Sequence, residues 1–438
     1  MIAHSNIVIN NMLNSLAYDT EDIVLESPPG GGKTTAQANA VAVNCHLGRS
    51  SIVCATSNAQ ANAMAEKIAR SYPGMQVTRL TKTKALPDPR LTRLTNVRQV
   101  DAIRTPADIV VTTNSKLAEA TTVPKADVLF IEEAHQTSFA DFQTIRDCGR
   151  RAMLTGDAGQ IPPICKIDVR PWAGAPDAPY LSAPTVVLAR NEARLLQLPV
   201  SWRLPADTAQ FVAPAFYPTL PFVGHGTAAS RQLRLRNGNA SADDALLDDA
   251  LSRGSLSMIM LPGSYAPSSD IALIEQIVRL TQRLLARRPA FVDDSDEGYL
   301  SAPDIGIVAA RVDQVTALQQ ALRKALGAIA SDITVDTLNR VQGAEFKVVL
   351  ALHPLSGVVN PSAFDFEPGR YCVALSRHRI HCIVFSRAGV GDQLEHYMVD
   401  EPIYLGASED PSFIGWRAHS TLWHQLNASN RIVSAQQY

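Results

Sequence analysis

Short, nearly continuous apolar runs recur along the first two hundred residues, at positions 22–26, 51–55, 108–112, 128–132, 151–155 and 185–189. Runs of this kind suit parallel strands covered on both faces, where no position along the strand meets water. Longer segments of helical spacing lie between them, such as 33–47, which stops at Gly48, a residue favoured just past a helix end. The alternation predicts an α/β domain built on a parallel sheet. A second series of the same kind starts at Asp270, whose side chain can cap a helix with Ile271, Ile274, Ile277, Val278, Leu284 and Leu285 on its apolar side. Strands are predicted at 304–309, 333–338, 347–352 and 381–385, with a helix marked by Val312, Val315, Leu318 and Leu322 and ended by Gly327. Between the two series, residues 218–265 and 289–303 are rich in Gly, Pro, Ser and Asp and predict loops or a solvent-facing insertion. Beyond about 387, Phe413, Trp416, Leu422, Trp423 and Leu426 mark the apolar side of one more helix, expected to pack against the second series.

Composition narrows the class. The chain has 438 residues, 46% of them hydrophobic and 19% charged, which excludes a disordered chain, a collagen-like fibre and a coiled coil. Its length suits two large lobes or three domains. No two of the six cysteines stand in a CxxC spacing, so a zinc ribbon, an iron–sulfur cluster and a disulfide framework are not expected. No stretch approaches the roughly 18 consecutive apolar residues of a membrane span, and the first fifteen residues lack the basic and apolar regions of a signal peptide. The expectation is a cytoplasmic protein. The formal net charge is only −2, yet residues 67–107 carry Lys67, Arg70, Arg79, Lys82, Lys84, Arg90, Arg93, Arg98 and Arg104 against Asp88 and Asp101. Positive charge gathered in an otherwise acidic chain is the footprint of a polyphosphate partner, although a solvated basic surface gives the same pattern.

Three segments carry candidate chemistry. The run at 22–26 leads into SPPGGGKTT, Ser27 to Thr35, and then into a helix. In such a phosphate loop Gly30, Gly31 and Gly32 let the backbone turn tightly and aim its N–H groups at phosphate oxygens. Lys33 supplies charge to the β and γ phosphates, and the Thr34 hydroxyl holds Mg²⁺. The pattern GxxxxGK[ST] has glycine where this chain has Ser27. Downstream, VLFIEEAHQ ends in Glu132 and Glu133, one placed to hold Mg²⁺ and the next to orient and activate an attacking water. His135 alone reads as a histidine satisfied by its surroundings. The segment LTGDAGQIPPI then offers Gln160 as a γ-phosphate sensor, the alternative being a proline-stiffened turn.

In this order the segments resemble those of the superfamily 1 helicases, most closely the Upf1-like branch, which are P-loop NTPases with two RecA-like domains. SPPGGGKT is similar to GPPGTGKT, EEAH to the DEAQ-type segment and GDAGQIPP to GDxxQLPP. QLPVSWRLP resembles LQVQYR, DIGIVAARVDQV resembles IGIITPYRAQ, TLNRVQGAEF resembles VDxFQGxE, and YCVALSRHR resembles NVALTRAR. The likeness runs over roughly residues 4 to 386. It implies two RecA-like parallel-sheet domains in tandem, the first at 1–195 with a basic insertion at about 67–107. The second, at 196–438, is expected to hold a loop-rich insertion at about 218–303 and a helical C-terminal tail. It further implies ATP with Mg²⁺ between the domains, held by Pro29 to Thr35, with Mg²⁺ on Thr34 and Glu132. Glu133 and Gln160 are implied as catalytic residues from the first domain, and Arg203 and Arg377 as arginines reaching over from the second. Trp202 falls where the family stacks an aromatic on adenine, and Asn6 where it has an adenine-reading glutamine. Gln342, Gly343, Glu345 and Arg379 fall in nucleotide-facing segments. Thr56, Ser57 and Asn58 fall where the nucleic-acid backbone is gripped, with Lys82 and Lys84 expected to guide it. The implied activity is ATP-dependent 5′-to-3′ movement along single-stranded DNA or RNA by a monomer without structural zinc. Two other readings stay open: a nucleotide-gated nucleic-acid-binding module that does not unwind, and a degenerate helicase with a structural role.

Overall fold

The computed structural model describes residues 2–103, 107–120, 123, 125–164, 168–172, 174–235, 241–397 and 411–438. Arg104 of the basic segment and Cys165 lie outside the described residues. The chain divides into two units. The first comprises the residues up to Ala158 and Pro162–Val200, and the second takes Gly159–Ile161 and, from Ser201, the rest of the described chain.

The first unit is built on eight strands: β1 (Asp22–Glu26), β2 (Ser51–Ala55), β3 (Val77–Leu80), β4 (Val97–Val100), β5 (Ile109–Thr113), β6 (Ala126–Glu132), β7 (Gly149–Gly156) and β8 (Ala193–Gln197). They form one sheet in the order β4-β3-β5-β2-β6-β7-β1-β8, and its pairs are parallel. Every residue of β2 and β5 is buried, as a sheet covered on both faces requires. The alternation of side chains sorts them. Val53 and Ala55 join a core with Met12, Val41, Met64 and Phe130, whereas Ile52 and Cys54 join a second core with Phe142, Ile145 and Val186. Helices α1 (Ile2–Tyr18), α2 (Lys33–His46) and α3 (Asn58–Ser71) supply the first of these layers.

Two expectations fail here for local reasons. The run at 185–189 is a helix, Ala183–Ala189, not a strand. Ser182 caps it by accepting the Thr185 N–H at 3.4 Å, and Pro184 sits in its first turn, signals that outweigh the β-branched run. The strand that follows is β8, which closes the sheet against β1. The basic segment, in turn, is part of the main sheet and not an insertion into the domain. It forms the end of α3, β3, the short helix Pro89–Thr92 and β4, so that β3 and β4 make the edge of the main sheet.

The second unit adds β9 (Val200–Pro205), β10 (Val223–Gly226), β11 (Arg231–Arg234), β12 (Leu256–Leu261), β13 (Ala290–Asp293), β14 (Asp296–Tyr299), β15 (Ile305–Ala309), β16 (Thr334–Thr337), β17 (Phe346–Leu352), β18 (His378–Arg387) and β19 (Ile432–Ser434). Six of them form a parallel sheet in the order β16-β15-β17-β18-β12-β19. β11, β13 and β14 make a small antiparallel sheet, and β9 pairs with β10. The region 218–303 is therefore not loop-rich: it holds β10 to β14 and the helices Ala242–Ser252 and Ile271–Arg287, and β12 lies inside the main sheet. Asp270 caps Ile271–Arg287 through the Leu273 N–H. The helix Pro411–Ala428 packs Leu422, Trp423 and Leu426 into the same core as Phe211 and Tyr371. No described helix is long and apolar enough to cross a membrane.

Candidate nucleotide and nucleic-acid sites

At the end of β1 the chain turns through Gly30 and Gly32, both with positive φ (68° and 86°), before α2 begins at Lys33. Gly31 lies against the loop itself, since a Cβ there would come within 2.9 Å of the Ser27 Cβ and 3.0 Å of the Pro28 carbonyl oxygen. Ser27 takes no left-handed backbone and is fully buried, its N–H bonded to the Gly156 carbonyl at 3.0 Å. Glycine's freedom is therefore not needed at position 27, although the serine makes it necessary at 31. Pro29 is buried beneath the loop, while Thr35 is exposed.

Two carboxylates meet this loop from the end of β6. The Thr34 hydroxyl donates to Glu132 Oε1 at 3.0 Å, and Lys33 Nζ lies 3.0 Å from Glu133 Oε1. Glu133 stands in the left-handed region (φ 51°) and starts the turn Ala134–Gln136. Burial, followed by the charge of Glu133, pushes the Glu132 carboxyl up to about 7, against the pull of Thr34 and Lys33. The glycine cradle, a cation, and a hydroxyl beside a carboxylate form a donor set that fits a nucleoside triphosphate with a hard divalent cation.

In the second unit the candidate groups gather into a charged hub. Arg203 Nε donates to Glu345 Oε2 at 3.0 Å, and its Nη1 donates to the Ser376 carbonyl at 3.3 Å. Arg379 reaches Asp293 at 2.5 Å and Asp294 at 3.0 Å, and lies 3.7 Å from Glu345. Burial alone would raise the Glu345 carboxyl, but Arg203 and then Arg379 outweigh it and hold it below its usual range. Arg377 is 1% exposed, with Nη2 donating to the Ser376 hydroxyl at 3.1 Å. Trp202 remains 37% exposed, and one side of its ring meets His225 at 4.6 Å between centroids. Gly343 (φ 82°) turns the chain with open space where a Cβ would be, and Gln342 is half-buried beside it.

Two AAA-domain family models match the chain in tandem, over residues 11–169 and 188–389. Each match is to an AAA domain, one in each half of the chain. No curated protein matches it in sequence. Among solved structures, the chain is similar to the arterivirus nonstructural protein 10 helicase, at 15% identity and a TM-score of 0.45 over 86% of this chain and 62% of that one. It is also similar to the DUF1998 helicase MrfA bound to DNA, at 10% identity and a TM-score of 0.47 over 88% of this chain and 49% of that one. The chain thus spans between about half and three-fifths of these proteins' lengths.

The other expected site residues are placed as follows. Gln160 packs with the second unit rather than with the strand that precedes it in sequence. The glycines allow it: a Cβ on Gly159 would overlap the Tyr217 ring, and one on Gly369 would overlap the Gln160 backbone. Asn6 is exposed on the first turns of α1. Thr56, Ser57 and Asn58 are exposed where β2 passes into α3. There Ser57 accepts the Gln60 N–H at 3.3 Å, and the Gln60 side chain answers to the Ser57 N–H at 3.2 Å, a capping box that fixes the helix start. Lys82 and Lys84 are exposed after β3 and line a groove of about 510 Å³ with Arg98 and Gln99.

Three groups have partners that the sequence does not indicate. His135 Nε2 lies 3.3 Å from Glu26 Oε1, which ties the turn after β6 to the end of β1. Burial raises Glu26, but His135 and then Gln197 outweigh it and hold the carboxyl low. Arg79, a cation within an apolar strand, is buried and donates to Asn58 Oδ1 at 2.8 Å and Asn62 Oδ1 at 2.7 Å, beneath the start of α3. Arg231 is hidden more completely, because its partners, backbone carbonyls and two aspartates, lie far away in sequence. Only the break in the apolar alternation at Arg79 was a usable signal.

Proposed function

We propose that this chain hydrolyses ATP to move along single-stranded nucleic acid in the 5′-to-3′ direction. The observation that carries the reading is the pairing of Lys33 with Glu133 and of Thr34 with Glu132 around the Gly31 cradle. In this reading the loop N–H groups and Lys33 bind the β and γ phosphates, and Thr34 and Glu132 hold Mg²⁺, which neutralises phosphate charge when bound. Glu133, once a phosphate draws Lys33 away, accepts a proton from the attacking water. The water oxygen bonds to the γ phosphorus as the bond to the bridging oxygen breaks and ADP leaves with that electron pair. Arg203 and Arg377 are proposed as the arginines that stabilise the charge of the transferred phosphoryl group, a role that contributes about 10³ to 10⁵ in rate. Ser57 and Asn58 at the start of α3 bind the strand backbone.

ATP turnover with and without single-stranded DNA and RNA homopolymers tests the reading and separates the two polymers. Stimulation by one of them, lost in Lys33→Ala, is the expected result. Equal rates with and without strands would overturn it. One observation favours a second reading, an ATP-gated binding module that does not unwind: the basic segment is a sheet edge and not a projecting wedge. A strand-displacement assay in which ATP is consumed and the duplex survives selects that reading.

A further inference from the structure

The carbonyls of Trp202, Arg203 and Arg379 share one donor. Arg231, on β11 of the small antiparallel sheet, directs Nη1 at the Arg203 carbonyl oxygen and, at 3.4 Å, at that of Arg379. Its Nη2 donates to the Trp202 carbonyl at 2.6 Å and to Asp294 at 3.0 Å. Its Nε lies 3.4 Å from Asp293. The side chain is 1% exposed, and the same two aspartates hold the Arg379 guanidinium.

We propose that Arg231 is a positioning residue through which the small sheet sets the geometry of Trp202, Arg203 and Arg379 for turnover. The proposal rests on the reading of these three as nucleotide-facing groups. β9 carries Trp202 and Arg203 and pairs with β10 in a two-stranded sheet, and the carbonyls of both residues accept from the Arg231 guanidinium. A planar guanidinium serves several carbonyls at once in a fixed fork, which an ammonium does not. The neighbouring strand makes room for it: a Cβ on Gly226 would come within 2.5 Å of the Arg231 Cδ and Nε. On the same strand His225 braces the Trp202 ring. Arg203, Arg231 and Arg379 balance Glu345, Asp293 and Asp294, so removing one member leaves the others miscoupled.

The test compares full-length Arg231→Lys and Gly226→Ala with the parent, each in the wild-type and Arg203→Ala backgrounds. It reads kcat and KM for ATP in single-turnover and steady-state assays, together with the thermal unfolding midpoint. Gly226→Ala keeps the guanidinium and displaces it, and it stands in should Arg231→Lys melt below the assay temperature. The expected result is a kcat lower by on the order of 10- to 100-fold in the wild-type background, with little further loss once Arg203 is gone. A kcat within twofold of the parent overturns the proposal. So does an equal loss in both backgrounds, or a loss that only follows the folded fraction. If Lys33→Ala and Arg203→Ala themselves leave hydrolysis intact, the underlying assignment of the nucleotide site fails instead, and that outcome is read separately.

Discussion

Acid should unfold the second unit through its buried histidines. His378 and His381 on β18, and His419 on the helix Pro411–Ala428, are fully buried, and burial pushes each of them down to about 3 from the usual 6.5. His353 is lowered by burial in the same way. The fold holds these rings neutral and the unfolded chain protonates them below 6.5, so unfolding takes up protons. Their contribution is complete above pH 6.5 and is lost as pH falls toward 3. At pH 5 each ring whose value is about 3 costs about 2 kcal/mol, and the three together cost about 6 kcal/mol, a large share of the roughly 5–15 kcal/mol that holds a domain folded. Urea unfolding followed by the emission of Trp416 and Trp423, which lie in this core, measures the loss at pH 7, 6 and 5. His419→Phe preserves the stack on Tyr371, whose ring lies 4.7 Å away, and removes one titrating group. The slope of stability with pH should then fall by about 1.4 kcal/mol per unit. A midpoint that does not move between pH 7 and 5, or an unchanged slope in His419→Phe, would refute the reasoning.

Further outcomes follow from the first unit. Gly31→Ala should weaken binding of a fluorescent ATP analogue at least about tenfold, by forcing the loop off Ser27 and the Pro28 carbonyl. Ser27→Gly in the same chain should restore part of the affinity, and no rescue would mean the contact is not the cause. Lys82→Ala and Lys84→Ala should each lower the slope of log affinity against log salt for a single strand by roughly 0.7, and unchanged slopes would take the groove out of the strand path. Ser57→Ala removes the capping box of α3 and should cost about 1 kcal/mol in thermal unfolding. Strand affinity should drop with it, and full affinity at that reduced stability would separate the helix start from the grip.

Much of the first sheet was legible because its strands are buried on both faces. IVVTT and VLFIE read as strands by apolar continuity alone. TVVLA reads as a strand in the same way and is a helix, since a short apolar run has no period of its own and the Ser182 cap and Pro184 decide it. ARLLQ escaped because β8 is an edge strand with half-polar sides. LSMIML was masked by the Gly- and Ser-rich residues around it, although β12 sits between β18 and β19 in the main sheet. The phosphate loop was legible because its chemistry is local, a run of glycines followed by Lys33 and Thr34. The hub around Arg231 was not, because residues 202, 293, 345 and 379 meet only through tertiary contacts. Gln160 shows the same limit: packing, not sequence neighbours, sets the unit to which it is counted.

The position of β12 has a consequence for how the chain matures. It is the first strand of its sheet to leave the ribosome, yet both of its partners are made more than about a hundred residues later. Until then its apolar side chains and unpaired backbone edges are exposed, and the nascent second unit is a natural client for a chaperone. Translation pauses or truncations within the last few dozen residues should therefore harm solubility well before they touch any catalytic group.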